Sequence, residues 1–320
     1  MKIDLALNDK NKNAFSDVVI CLMGPTASGK SDLGLKLSAT YPVEIISVDA
    51  AMVYKHMDIG TAKPTADERA AVSHHLIDIL DPIETFSAAQ FCSKVHVLIK
   101  DIRQRNKIPI LLGGTMMYFK ALQHGLTILP SADYKLRAHL LERAQQSGWN
   151  TLYSELTRHD PVSAAKIHAH DTQRIQRALE IVYLTGFPVS WLHTKQTPAI
   201  EYKFINLILY PEDRSWLHQR IEERFILMLE HDLIAEVQAL VQQWPITLQH
   251  PALRTVGYRQ VYEYLTGIYD YDTMIEKSLA ATRQLAKRQL TWLRSWPDGK
   301  YFACDKVNVM QACMETLENS

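Results

Sequence analysis

The sequence is short of the features that would fix a compartment or a cofactor at a glance. Only 4 of its 320 residues are cysteine, at positions 21, 92, 304 and 313. They lack C-x-x-C spacing, which excludes a zinc ribbon or a disulfide framework as the organising device. The histidine pairs His74-His75 and His168, His170 lack Cys or carboxylate partners at ligand spacing, so they read as ordinary histidines. No apolar run reaches the ~18 residues of a membrane span, and the N-terminal MKIDLALNDKNKNAF carries acids but no signal-peptide core. A cytoplasmic chain without a membrane partner is expected. An excess of either charge is missing too, with 35 Lys and Arg against 35 Asp and Glu. That excludes coating of nucleic acid by bulk charge and leaves room only for a local basic face.

What is present suits an ordinary globular protein, with 47% hydrophobic and 22% charged residues. The length implies one large domain and a smaller one. Val18 to Met23 is a buried-strand pattern ending in a Gly-rich turn, after which Leu33, Leu35 and Leu37 open a helix. Apolar runs recur at Val43 to Val48 and at Ile108 to Leu112, with a helical stretch from Ser87 to Arg105 between them. Strands alternating with helices predict an α/β fold with a parallel sheet. From about Gly125 the pattern turns wholly helical: 133–146, 150–158, 161–167 and 172–184. The last of these is well punctuated, with Asp171 to cap it and Gly186 to stop it. Tyr202 to Tyr210 can return the chain to the sheet. The expected division is therefore a core of 15–125 with 200–300, an all-helical insertion of 126–199 and a tail of 301–320 in which no motif is legible.

The strongest single signal is Gly24-Pro25-Thr26-Ala27-Ser28-Gly29-Lys30-Ser31. It matches G-x-x-x-x-G-K-[ST] in the strand-to-helix setting that a phosphate loop requires. Glycines let backbone N–H groups turn onto phosphate oxygens, the helix start adds its dipole, Lys30 adds a charge and Ser31 offers a hydroxyl to Mg2+. Such a cradle takes a di- or triphosphate, ATP included, without saying which. Glu44 to Asp49 reads as a second strand ending in a carboxylate aimed at the ligand crevice. Asp49 can there serve as a general base, or, from position alone, as a helix N-cap.

Cradle and acid are followed by Val53-Tyr54-Lys55-His56-Met57-Asp58-Ile59-Gly60-Thr61-Ala62-Lys63-Pro64, then Leu112-Gly113-Gly114-Thr115 and Arg254-Thr255-Val256-Gly257-Tyr258-Arg259. In this order, over about 19 to 296, the set resembles the bacterial tRNA dimethylallyltransferases. The resemblance implies a P-loop NTPase-like sheet whose loop, Thr26 to Ser31 with Gly24, grips dimethylallyl diphosphate with Mg2+ assisting. The prenyl group would pass to N6 of adenosine 37 beside the anticodon, and diphosphate would leave. Arg224 would face the diphosphate, although by position alone it is a solvated helix charge. Asp49 would take the N6 proton, and Lys30 and Thr115 would complete the catalytic set, Thr115 touching the flipped nucleotide. By position alone Thr115 is a turn residue after two glycines.

The same resemblance turns Asp49, Ala50, Ala51 and Met52 toward the tRNA anticodon stem-loop. It adds Arg137, Gln173, Arg174 and Arg177 from the insertion, then Arg254, Gly257, Tyr258 and Arg259, and finally Lys287, Arg288 and Arg294. The last group agrees with the residues themselves, because Lys277 to Asp298 holds basic side chains, no acid until its end, and the interleaved Trp292 and Trp296. A solvated helix face is the plainer reading of that stripe. One position departs from the family, where serine usually follows the acid and this chain has Ala50. A small-molecule kinase, which also pairs a phosphate loop with an acid, remains the alternative, and so does an RNA-binding module with an inactive loop. A monomer is expected.

Overall fold

The computed structural model describes residues 18–127, 129–195 and 202–319. They form two compact units, Met1–Lys120 with Glu201–Ser320, and Ala121–Ile200.

The first unit is built on a six-stranded sheet in the order β3-β2-β4-β1-β5-β6. The strands are β1 (Val18–Met23), β2 (Val43–Val48), β3 (His74–His75), β4 (Ile108–Gly113), β5 (Lys203–Tyr210) and β6 (Gly299–Ala303). Every neighbouring pair is parallel. All six residues of β1 and of β2 are buried, as both faces of a parallel sheet must be when helices cover them. Because the strands share one direction, the loops after β1, β2 and β4 open at a single carboxyl edge. Helix α1 (Lys30–Thr40) packs Leu33 and Leu37 onto β1 and β2. After α2 (Ala66–Ala71), α3 (Ala88–Gln104) starts at a capping box: Ser87 accepts the Gln90 N–H and Gln90 accepts the Ser87 N–H. Helix α4 (Met116–His124) follows β4.

The stretch 301–320, expected as a tail, is corrected by the structure. Tyr301 to Ala303 pair with β5, and the last helix (Val309–Glu318) buries Cys313 and Leu317 against Leu33, Leu37 and Tyr41. The strand lies at the sheet edge and alternates poorly, so its sequence carries almost no periodic signal. A second core lies under α10 (Arg214–Glu230), α11 (Leu233–Gln243), α12 (Tyr258–Leu265) and α13 (Tyr271–Leu293), and it includes Val53, Tyr54 and Met57.

The named elements of the second unit among the described residues are helices: α5 (Tyr134–Ser147), α6 (Trp149–His159), α7 (Pro161–Ala164), α8 (Thr172–Thr185) and α9 (Val189–Leu192). The last helix of the chain is therefore α14. Asp133, Asp160 and Asp171 each accept a backbone N–H at a helix start, and Gly186 ends α8 in the left-handed region at φ 73°. Leu140, Leu152, Leu156, Ile175 and Leu179 fill its core. Asp160 is fully buried and staples α7 to α9 by accepting the Ser163 N–H, the Ser190 N–H and the Ser190 hydroxyl. Those bonds hold its carboxyl below the usual range against the opposing effect of burial.

Candidate active site

The loop between β1 and α1 is shaped for an anion. Gly29, at φ 86°, is the N-cap of α1 and supplies no side chain to the helix start, so its first N–H groups stay unblocked. Gly24 is needed for close approach: a Cβ there would lie 3.1 Å from the Leu209 carbonyl oxygen and 2.7 Å from Ser28 Oγ. Ser28 Oγ itself is buried and has no hydrogen-bond partner among the described residues, which suits a ligand oxygen beside it.

Lys30 Nζ lies back along the loop and donates to the Pro25 carbonyl at 2.6 Å. Burial, reinforced by the Arg224 guanidinium, pulls its pKa down to about 8, while Asp49 and Cys304 pull the other way. Arg224 comes from α10 and donates to Thr26 Oγ1, and its own pKa is lowered by burial. It is not the solvated helix charge that its position alone suggested. One turn earlier Arg220 Nε donates to the Ala27 carbonyl at 2.9 Å. Lys30 and Arg224, half-buried and drawn down in pKa by burial, put two cations against one loop, which is costly in an empty site and favourable beside an anion. From α13, Gln289 accepts the Thr26 N–H at 2.8 Å and donates to the Gly114 carbonyl at 2.9 Å.

Asp49 stands at the end of β2. Its Oδ1 accepts the Ala51 N–H at 2.8 Å and the Met52 N–H at 3.4 Å, leaving Oδ2 without a partner among the described residues. The helix N-cap that position alone offered for Asp49 is corrected: residues 50–53 form a turn, which one oxygen caps while the other stays open. Thr115 accepts the Ala50 N–H on Oγ1 at 3.1 Å, and its own N–H donates to the Val48 carbonyl at 3.1 Å, so it braces the turn that carries Asp49. Thr26, Lys30, Ser31, Asp49 and Arg224 line one cavity of about 170 Å³, whose apolar wall includes Met52, Leu112, Ile221, Phe225 and Leu285.

For Mg2+, the hydroxyl of Ser31 is the residue in place. Among the described residues no group of three His, Cys, Asp or Glu could make a protein cage. A single hydroxyl fits a small hard cation that keeps its waters and shares phosphate oxygens.

The rim of the site is held by Glu236, which has no legible sequence signal, and by Lys63 of the Val53 to Pro64 segment. Glu236 of α11 accepts the N–H groups of Asp58 and Ile59, each at 2.8 Å, and of Gly60 at 3.2 Å, together with the Tyr258 hydroxyl at 2.5 Å. Lys63 is buried and donates to the Tyr54 carbonyl, Asp58 and Asp78 at 2.6, 2.7 and 2.5 Å. Gly60, Thr61 and Ala62 in that loop line the cavity.

The residues expected to face RNA divide. Ala50, Arg254, Arg259, Lys287, Arg288 and Arg294 are exposed, Ala51 and Met52 are half-buried, and Gly257 is buried in the cavity wall. Tyr258 is corrected: it is fully buried, closes against Gly60 and Glu236, and offers no face for a base. Burial beside the Glu236 carboxylate pushes its phenol far above the ordinary range. Of the two interleaved tryptophans, Trp296 packs, buried edge-on against Phe119, whereas Trp292 is 36% exposed.

In the helical unit Gln173 and Arg174 are exposed. Arg137 and Arg177 are instead engaged by Glu180, which is fully buried. Arg137 binds it through two nitrogens at 2.9 and 3.0 Å, and Arg177 through Nη1 at 2.5 Å. Arg177 Nη2 also donates to the Pro130 carbonyl at 2.6 Å.

Residues 52–296 match the family described as IPP transferase. The chain is 54% identical over 307 residues to a tRNA dimethylallyltransferase of Legionella pneumophila (strain Corby), covering 95% of this chain and 98% of that one. It is 51% identical over 309 residues to a tRNA dimethylallyltransferase of Coxiella burnetii (strain Dugway 5J108-111), covering 96% and 98%. The crystal structure of a full-length tRNA isopentenylpyrophosphate transferase from Bacillus halodurans superposes with a TM-score of 0.69 at 34% identity, covering 95% of each chain. A eukaryotic dimethylallyltransferase described as acting on tRNA gives 0.78 at 27% identity, covering 95% of this chain and 80% of that one.

Proposed function

The chain belongs to the IPP transferase family, and we propose that it transfers a dimethylallyl group from dimethylallyl diphosphate to N6 of adenosine 37 in tRNA, releasing diphosphate. The observation that carries this reading is the shared cavity, in which the open oxygen of Asp49 and the cations Lys30 and Arg224 face one space. The N6 lone pair attacks the first prenyl carbon, the bond from that carbon to the diphosphate oxygen breaks, and the N6 proton passes to Asp49 Oδ2. Lys30 and Arg224 neutralise charge as it builds on the leaving oxygen, in a site whose burial strengthens each contact. Mg2+ at the Ser31 hydroxyl would supply further charge neutralisation on the diphosphate. The apolar wall of Met52, Leu112 and Phe225 suits a prenyl tail and keeps water from the reacting carbon.

A stacked base hides its N6 from such a cavity, and an unpaired loop nucleotide costs least to extrude. Exposed Arg254, Arg259, Lys287, Arg288 and Arg294 supply phosphate contacts for an anticodon loop in the first unit, and Gln173 and Arg174 supply them in the second. We place the reaction in the cytoplasm, where the four free cysteines would stay reduced, and take the protein to act as a monomer. Among the described residues no helix is long and apolar enough to cross a membrane.

The test is transfer of labelled dimethylallyl from its diphosphate to an unmodified anticodon stem-loop with three adjacent adenines, with Mg2+ present. Label on N6 of the central adenine is expected, with kcat reduced on the order of 10²-fold or more in Asp49→Ala at nearly unchanged RNA affinity. Absence of transfer, with ATP consumed on a small acceptor, would replace this reading by a kinase.

A further inference from the structure

Helix α13 shows Lys287 and Arg288 to solvent, but the next side chain, Gln289, turns inward and is 9% exposed. It ends on two main-chain groups that belong to different loops. Its Oε1 accepts the Thr26 N–H at 2.8 Å, in the phosphate loop after β1, and its Nε2 donates to the Gly114 carbonyl at 2.9 Å, after β4. The amide orientation is fixed by its partners, because an N–H calls for the oxygen and a carbonyl calls for the nitrogen. Gly114 has closed to contact: a Cβ added there would meet Gln289 Nε2 at 2.4 Å.

The Thr26 N–H and the Pro25 carbonyl are the two ends of one peptide unit. Gln289 holds the first, and Lys30 Nζ, at 2.6 Å, holds the second. A peptide plane is rigid, so fixing one pole fixes the other. Without Gln289 the plane is held from its carbonyl pole alone, by Lys30 Nζ and by the Ser28 N–H at 3.3 Å, and the Thr26 N–H, left without a partner, can tilt and change the charge presented to the space the diphosphate needs. Gly114 precedes Thr115, whose hydroxyl braces the turn of Asp49, so the same amide connects the cradle to the base.

We infer that Gln289 is a positioning residue of the diphosphate cradle: its carboxamide sets the Pro25–Thr26 peptide plane and ties it to Gly114, beside the brace of Asp49. This rests on the cavity being a diphosphate site and assigns Gln289, within a basic helix, to the donor rather than to RNA. Only a side chain of this length that both donates and accepts satisfies the two contacts. Leucine does neither. A carboxylate accepts from Thr26 but sets a second oxygen against the Gly114 carbonyl, whereas a protonated carboxyl restores both bonds.

The experiment measures steady-state transfer with donor and RNA varied separately, and calorimetric titration of inorganic diphosphate with Mg2+, on the full chain. Gln289→Leu is expected to raise the KM for dimethylallyl diphosphate roughly tenfold or more and to weaken diphosphate binding in step, with the KM for RNA within about twofold. Gln289→Glu is expected to show the same donor defect at pH 8. Gly114→Ala, which displaces the same amide from the other side, should reproduce the donor defect and covers the case in which Gln289→Leu does not fold. Donor KM and diphosphate affinity within twofold in all folded variants, or a loss confined to RNA, would overturn the assignment. An unaltered protein that binds diphosphate but transfers nothing would sink the proposed reaction, and diphosphate binding by the variants would still decide the role of Gln289.

Discussion

Removing the negative charge of Glu180 separates a structural from an RNA-binding role for Arg137 and Arg177. Glu180 is fully buried and receives both guanidinium groups and the Asp133 N–H at 2.7 Å. These bonds, Arg137 first, hold its carboxyl below the ordinary range although burial opposes them. Deleting one side of a buried ion pair costs about 3–5 kcal/mol. The arginine side chains are 34% and 32% exposed, so stranded cations regain part of their hydration. Glu180→Gln should therefore fall at the low end, at about 3 kcal/mol. Arg137→Ala and Arg177→Ala, each leaving Glu180 one arginine, should cost about 1.5–3 kcal/mol apiece and couple in a double-mutant cycle. Urea unfolding of the full chain followed by circular dichroism, alongside RNA titration at fixed salt, reads both properties. Arg174→Ala, with an exposed side chain, should weaken RNA binding at constant stability. The reasoning would be refuted by Arg137→Ala and Arg177→Ala losing RNA affinity tenfold or more with unfolding midpoints unchanged.

Lys30 is a cation below its lowered pKa of about 8, so its attraction for the donor is fully present at neutral pH and is lost as pH rises through that value. Diphosphate binding should weaken by up to about tenfold per pH unit above 8, with proton uptake on binding, and calorimetry in buffers of different ionisation heat would show it. Glu236→Gln turns an NH2 group toward N–H or O–H donors and should cost about 2–4 kcal/mol, against about 1–2 for Tyr258→Phe, which loses one bond; equal effects in urea would contradict the assigned anchor. Glu44 is held down to about 2 by Arg105, His75 and Lys107 against the pull of burial, so its stabilisation is present above the ordinary carboxylate range and disappears as pH falls toward 2. Glu44→Gln should flatten the acid limb of stability against pH. Lys287→Ala with Arg288→Ala should weaken RNA binding and lower the slope of log affinity against log salt by roughly 2, which filter binding at several salt concentrations would test.

The phosphate loop, the acid after the second strand and the alternation of strands with helices were legible because each is local. A strand buried on both faces must be continuously apolar, and a turn that wraps phosphate must carry glycine where a Cβ would collide. The parallel sheet, the helical segments between 133 and 185, and Asp171 and Gly186 at the ends of α8 follow from such short-range rules.

The rest depended on partners far apart in the chain. Arg224 looked like a solvated charge until α10 brought it to Thr26, 198 residues away. Glu236 meets the N–H groups of Asp58, Ile59 and Gly60 across 176 to 178 positions, and main-chain groups leave no mark in a sequence. Exposure was undecided in the same way: Arg137, Arg177, Tyr258 and Trp296 have the composition of an RNA face, but burial and a carboxylate engage the first three and packing on Phe119 engages the last. The edge strand at 299–303 and helix α14 were illegible because their few apolar residues acquire meaning only against the sheet they cover. The sequence by itself determined which chemical groups were available and the local turns that hold phosphate. Tertiary structure alone decided which charges face a ligand and which face each other, because desolvation and pairing are properties of the space around a side chain, not of its neighbours in the chain.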